Sequence, residues 1–117
     1  MIEIKSVAAD AAVMYEESGI ATDAAWEMTE RGNRLGFSCV KREEDVARIT
    51  SLQAPDAPLT DALLRATLNA LRAQGIKSAV IEDEQLKKHA LSKGYVASFE
   101  EMYLEIDEFF SKSVCKD

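Results

Sequence analysis

Leu59-Thr60-Asp61-Ala62-Leu63-Leu64-Arg65-Ala66-Thr67-Leu68-Asn69-Ala70-Leu71-Arg72-Ala73-Gln74-Gly75, followed at once by Ile76-Lys77-Ser78-Ala79-Val80-Ile81, decides the fold. Leu63, Leu64, Thr67, Leu68 and Leu71 recur at helical spacing and make one broad apolar face. Asp61, Arg65, Asn69 and Arg72 fall on the opposite face. Gly75 is the helix stop, because a residue without Cβ takes the left-handed conformation at no steric cost. Ile76 to Glu82 then reads as a buried strand. Just ahead of the helix stands Ala54-Pro55-Asp56-Ala57-Pro58. A strand that runs into a helix N-terminus is a natural anion site. The same residues also make a sound helix start, with Asp61 as a first-turn acid.

Upstream of the helix the period changes to two. Val46 to Ala54 reads as a strand, but Leu52 lies three residues beyond Ile49 rather than two. A β-bulge near Thr50-Ser51 would restore the phase. Leu35, Phe37 and Cys39 alternate in the preceding strand, and Lys41 to Asp45 forms a charged turn between the two. Ala24 to Glu30 places Trp26 and Met28 on one face. It reads as a strand, with two turns of helix as the other reading; the Arg31-Gly32-Asn33 turn signal decides for the strand. The three strands form an antiparallel meander. Ahead of them, Ile2, Ile4 and Val7 mark a half-buried strand, Ala8 to Ser18 a helix, and Gly19 its stop.

Downstream, the strand–helix–strand unit makes a right-handed parallel pair. Asp83 caps a helix from Glu84 to Lys93 with a thin buried stripe of Leu86, Ala90 and Leu91, ended by Gly94. Tyr95, Ala97 and Phe99 begin a strand. After a Glu100-Glu101 turn, Met102, Leu104 and Ile106 continue it. Asp107 to Cys115 is a tail with a helical turn that docks Phe109 or Phe110. The fold class is therefore α/β (α+β), a single mixed, mostly antiparallel sheet flanked by helices. The order is β-α-β-β-β-α-β-α-β.

At 117 residues, 1–117 is one domain, with 47% hydrophobic and 30% charged residues. The net charge of −7 argues against nucleic acid or an acidic membrane surface, since both need a positive face. Cys39 and Cys115 form neither a CxxC pair nor a metal spacing, which fits a reduced, cytoplasmic protein. No metal is expected. Met1-Ile2-Glu3-Ile4-Lys5 does not read as a signal peptide, and no apolar run reaches the length expected of a membrane span.

This order resembles the GNAT superfamily of N-acetyltransferases, lacking its second N-terminal helix. Leu35-Gly36-Phe37 resembles that family's "xGF" opening of the second strand. Leu63-Leu64 resembles its paired leucines, Gly75-Ile76 its helix stop, and Lys93-Gly94-Tyr95 its "LGF" ending. The resemblance implies an acyl-CoA N-acyltransferase-like fold, acetyl-CoA as cofactor, and a small amine or a peptide amino terminus as acceptor. It implies a cleft where two parallel strands part, with the pantetheine against Leu52, Gln53 and Ala54. The pyrophosphate would lie at the helix start, against Leu59, Thr60 and Asp61. The family's Gln/Arg-x-x-Gly-x-Gly/Ala loop is not matched. Pro55 stands at its basic or glutamine position, Pro58 at the first glycine and Thr60 at the second. Pro58 has no N–H to offer a phosphate, and Asp56 and Asp61 repel one.

The same resemblance leaves catalysis without a named acid or base. Ala90 stands near the place of the family's tyrosine. His89, the one histidine of the chain, can donate a proton at neutral pH, though a lone helical histidine is more often solvated or packed. Glu27, Glu43, Glu44 and Asp45 offer carboxylates on the meander, where hairpin-tip charges are ordinarily solvated. Cys39, Trp26, Phe37 and Tyr103 read as core. Two functions follow. One is an N-acetyltransferase. The other is a catalytically inactive relative that uses the cleft or the exposed sheet for another ligand or for a homodimer. An α/β interaction domain of another family would follow from a helical Ala24 to Glu30.

Overall fold

A computed structural model describes residues 2–7 and 24–114. The expected helix Ala8 to Ser18, its Gly19 stop and Cys115 lie outside the described residues. Among the described residues six strands form one sheet in sequential order. These are β1 (Ile2–Val7), β2 (Ala24–Glu30), β3 (Asn33–Glu43), β4 (Val46–Gln53), β5 (Ser78–Ile81) and β6 (Tyr103–Glu105). Helices α1 (Ala57–Ala73), α2 (Glu84–Ser92) and α3 (Ile106–Val114) complete the described residues. Only β4 and β5 run parallel; every other neighbouring pair is antiparallel. The fold is α/β, a single mixed sheet with helices packed on it.

The apolar face of α1 makes the core. Leu63, Leu64, Thr67, Leu68 and Leu71 are all fully buried, against Met28, Val40, Ala47, Ile49 and Leu52 of the sheet. Each leucine contributes about 1.5–3 kcal/mol of burial before the entropy of ordering it is counted. A buried polar contact crosses this interface. Ser38 and Thr67, both without exposed surface, share a hydrogen bond of 2.8 Å. Among the described residues no buried side-chain polar atom lacks a partner.

The expected bulge is present. Cys39 pairs with Ser51 and Val40 with Ile49, so Thr50 is the extra residue. Both Ile49 and Leu52 thereby reach the core. A second bulge was not legible in the alternation. Met28 pairs with Gly36 and Thr29 with Arg34, which makes Leu35 the extra residue of β3. Leu35 packs on the α1 side, while Phe37 joins Ala25 and Cys39 in a cluster of their own.

Other expectations are corrected. Lys41 to Glu43 continue β3, and the turn narrows to Glu44-Asp45, with Glu44 at φ 57°. Ile76 and Lys77 precede β5 rather than belong to it. Tyr95 to Glu100 form turns and bends, so Phe99 is 51% exposed. Alternation failed there because Ala97 and Phe99 have no strand to pair with; β6 spans only three residues. Ile106 opens α3 instead of ending the sheet. Tyr103 is 50% exposed and not core. Phe109 is the docked aromatic of α3, with Phe110 beside it.

Candidate functional site

Strand β4 outlasts its parallel neighbour. The β4–β5 register ends at Ile49↔Ile81, and Glu82 N–H donates to Ile49 C=O at 2.9 Å. Beyond the Thr50 bulge, β4 continues alongside β3 alone, with Leu52 against Ser38 and Gln53 against Phe37. The gap is a cavity of about 550 Å³. Its walls come from three elements: Leu52, Gln53 and Ala54 at the end of β4, Asp56, Ala57 and Thr60 at the start of α1, and Asp83, Leu86 and His89 on the α2 side. Of the six expected contact residues, Leu52, Gln53, Ala54 and Thr60 border the cavity, whereas Leu59 and Asp61 are not on its wall.

Gly36 sets how closely this wall can approach β3. A Cβ there would stand 2.2 Å from the Gln53 carbonyl oxygen and 3.1 Å from Ala54 Cα. No real Cβ tolerates that first contact. The glycine is therefore a requirement of close strand approach, not of turn geometry.

Two helix starts open on the cavity, and each is capped by a carboxylate of the chain. Asp56 is the N-cap of α1 and accepts from Leu59 N–H at 2.9 Å. Its carbonyl accepts from Thr60 N–H at 2.9 Å and from the Thr60 hydroxyl at 2.8 Å. With Pro58 lacking an N–H, the first turn keeps little to offer an anion. Asp61 is accordingly a second-turn residue, not a first-turn acid, since α1 begins at Ala57. Asp83 caps α2, as expected, by accepting from Leu86 N–H at 2.9 Å. Its other oxygen reaches across the cleft and accepts from Leu52 N–H at 3.3 Å. Among the described residues no lysine or arginine borders the cavity.

Asp61 does not stand free on a solvent face. Tyr95 donates its hydroxyl to Asp61 Oδ1 at 2.5 Å, and Arg65 Nε donates to Oδ2 at 2.8 Å. His89 Nε2 lies 3.2 Å from Oδ1, and Arg65 also donates to the Tyr95 hydroxyl at 3.2 Å. The Asp61 side chain is 19% exposed and that of His89 8%. Burial pushes the Asp61 carboxyl up, but hydrogen bonds from Tyr95, Arg65 and His89 outweigh it and hold the group below its ordinary range. Burial, with the bond to Asp61, raises the Tyr95 hydroxyl. The sequence showed Asp61 and Arg65 one turn apart. It could not show that Gly94, at φ 75°, turns Tyr95 back onto them. Among the described residues no cluster of three or more His, Cys, Asp or Glu side chains could hold a metal ion, and no helix is long and apolar enough to cross a membrane.

No family model matches the sequence, and no curated protein matches it. Solved structures do match its fold. A GNAT-family protein from Desulfovibrio desulfuricans has 13% identity and a TM-score of 0.66 over 91% of this chain and 99% of its own. The ribosomal-protein-S18-alanine N-acetyltransferase from Escherichia coli has 15% identity and a TM-score of 0.62 over 91% and 94%. N-acetylglutamate synthase from Neisseria gonorrhoeae, solved with coenzyme A and N-acetyl-glutamate, has 17% identity and a TM-score of 0.51 over 69% of this chain. The chain spans 25% of that longer protein. The fold is that of the GNAT acetyltransferases.

Proposed function

We propose that this chain is an N-acetyltransferase that moves an acetyl group from acetyl-CoA to an amine, either a small amine or a peptide amino terminus. The observation that carries the reading is the parting of β4 from β5 beyond Ile49↔Ile81. It opens a cavity walled by strand backbone on one side and helix starts on the other. The shared fold supports the same reading, as does coenzyme A in the N-acetylglutamate synthase structure. The pantetheine would run along Leu52, Gln53 and Ala54, whose backbone faces no strand on the cavity side. The Leu52 N–H donates to Asp83 over a long 3.3 Å, a bond that a pantetheine carbonyl can displace. A neutral amine would attack the thioester carbonyl, polarised by backbone N–H groups beside the Thr50 bulge. Positioning in the cleft would supply much of the rate.

One feature favours the second reading, an inactive relative that binds another ligand. The Asp56 carboxylate already caps the helix start where a pyrophosphate would lie, and Pro58 removes a donor. Thermal unfolding with and without acetyl-CoA separates the two. At a hundred times its Kd the ligand adds about 2.7 kcal/mol, a rise of roughly 10 °C for a domain of this size. An unchanged melting temperature at millimolar acetyl-CoA would sink the transferase reading.

A further inference from the structure

His89 is the chain's only histidine, and its side chain is more than nine-tenths buried. It borders the cavity. Its Nε2 is turned to Asp61 Oδ1 at 3.2 Å. No described residue bonds Nδ1, and among the described residues no buried side-chain polar atom lacks a partner; Nδ1 therefore keeps exposed surface, on a side chain that borders the cavity. An ionised carboxylate only accepts, so Asp61 fixes the proton on Nε2 and leaves the Nδ1 lone pair free. Asp61 is itself tied down by Tyr95 and Arg65. This is far more structure than a solvated helical histidine needs. It also differs from the other titratable groups on the wall, because Asp56 and Asp83 are committed to capping helices.

We infer that His89 is the proton-exchanging residue of the cleft, with Asp61 as the residue that positions its ring. The inference rests on the transferase reading above. As the C–N bond forms, Nδ1 takes a proton from the attacking amine. As the C–S bond breaks, the imidazolium returns that proton to the departing thiolate. The products are the amide and free thiol, and the ring ends as it began. The charged and polar groups around it are Asp61 and Arg65 on α1, Tyr95 after α2, and the Asp56 and Asp83 carboxylates on the cavity wall.

A single histidine makes the test direct, since one imidazole gives one set of ¹⁵N resonances. Long-range ¹H–¹⁵N spectra of the full chain near pH 8 should show the Nε2–H tautomer, and acetyl-CoA should move the Nδ1 resonance. Asp61→Asn should weaken the tautomer preference. With acetyl-CoA and a panel of primary amines, His89→Gln should lower kcat of thiol release by about 10²–10⁴-fold. KM for acetyl-CoA should change little. A dominant Nδ1–H tautomer would overturn the inference. So would full activity in His89→Gln, with acetyl-CoA binding intact. Absence of any acetyl-CoA binding by the wild-type chain would overturn the transferase reading itself, a distinct result.

Discussion

Gly36 and the Ser38–Thr67 pair show how single residues hold the cleft wall. A Cβ at Gly36 meets backbone, not a flexible side chain, so Gly36→Ala must push the end of β4 away. The expected destabilisation is about 1–3 kcal/mol, read by thermal unfolding, with a weaker response to acetyl-CoA than the wild type. Ser38→Ala leaves Thr67 buried without its partner, which costs about 1–3 kcal/mol. Ser38→Ala with Thr67→Val should recover most of that loss, and a double-mutant cycle by denaturant unfolding measures it. Asp61 gives a pH signature. Its folded-state value lies below 3.8, so its stabilisation is present above that value. It is lost as pH falls through the depressed folded value. Asp61→Asn should flatten the acid limb of stability in that window. Tyr95→Phe should shrink it and cost about 1 kcal/mol at neutral pH, given partial solvent screening.

At the scale of elements, α1 carries both the strongest and the weakest of the family likeness. Its buried face, its Gly75 stop and its place between two parallel strands were legible, because each follows from local spacing and local conformational preference. The Thr50 bulge was legible for the same reason, as a broken period. The Leu35 bulge was not, since Leu35, Phe37 and Cys39 keep their alternation while the register shifts beneath them. The region after α2 misled because an apolar alternation carries no information about whether a partner strand exists. Leu52, Gln53, Ala54 and Thr60, named from the family resemblance, border the cavity, and Leu59 and Asp61 do not. The Asp61–Arg65–His89–Tyr95 network was missed as a unit, because it joins residues 28 to 34 positions apart. The N-terminus of α1 can be tested as an element. Asp56→Ser keeps a capping oxygen and removes the charge, and Pro58→Gly adds an N–H. The pair should raise the affinity for acetyl-CoA, measured by titration calorimetry, and leave S-acetyl-pantetheine unaffected.

At the scale of the molecule, the described residues form a sheet of six strands that holds three helices so that one end of the β4–β5 pair stays open. The net charge of −7 and the carboxylates on the cavity wall make this an acidic protein with an acidic cleft. Such a cleft attracts a cationic amine and resists phosphates, so acetyl-CoA binding should strengthen as ionic strength rises from low values. The central claim is that the parted strands form a binding site for the acyl donor. Titration of the ¹⁵N-labelled chain with acetyl-CoA, followed through the backbone amides, tests it most directly. Leu52, Gln53, Ala54, Thr60 and His89 should shift together and saturate, while the paired strands β1 and β2 stay still. Unmoved resonances along β4, or shifts confined to the opposite end of the sheet, would contradict it.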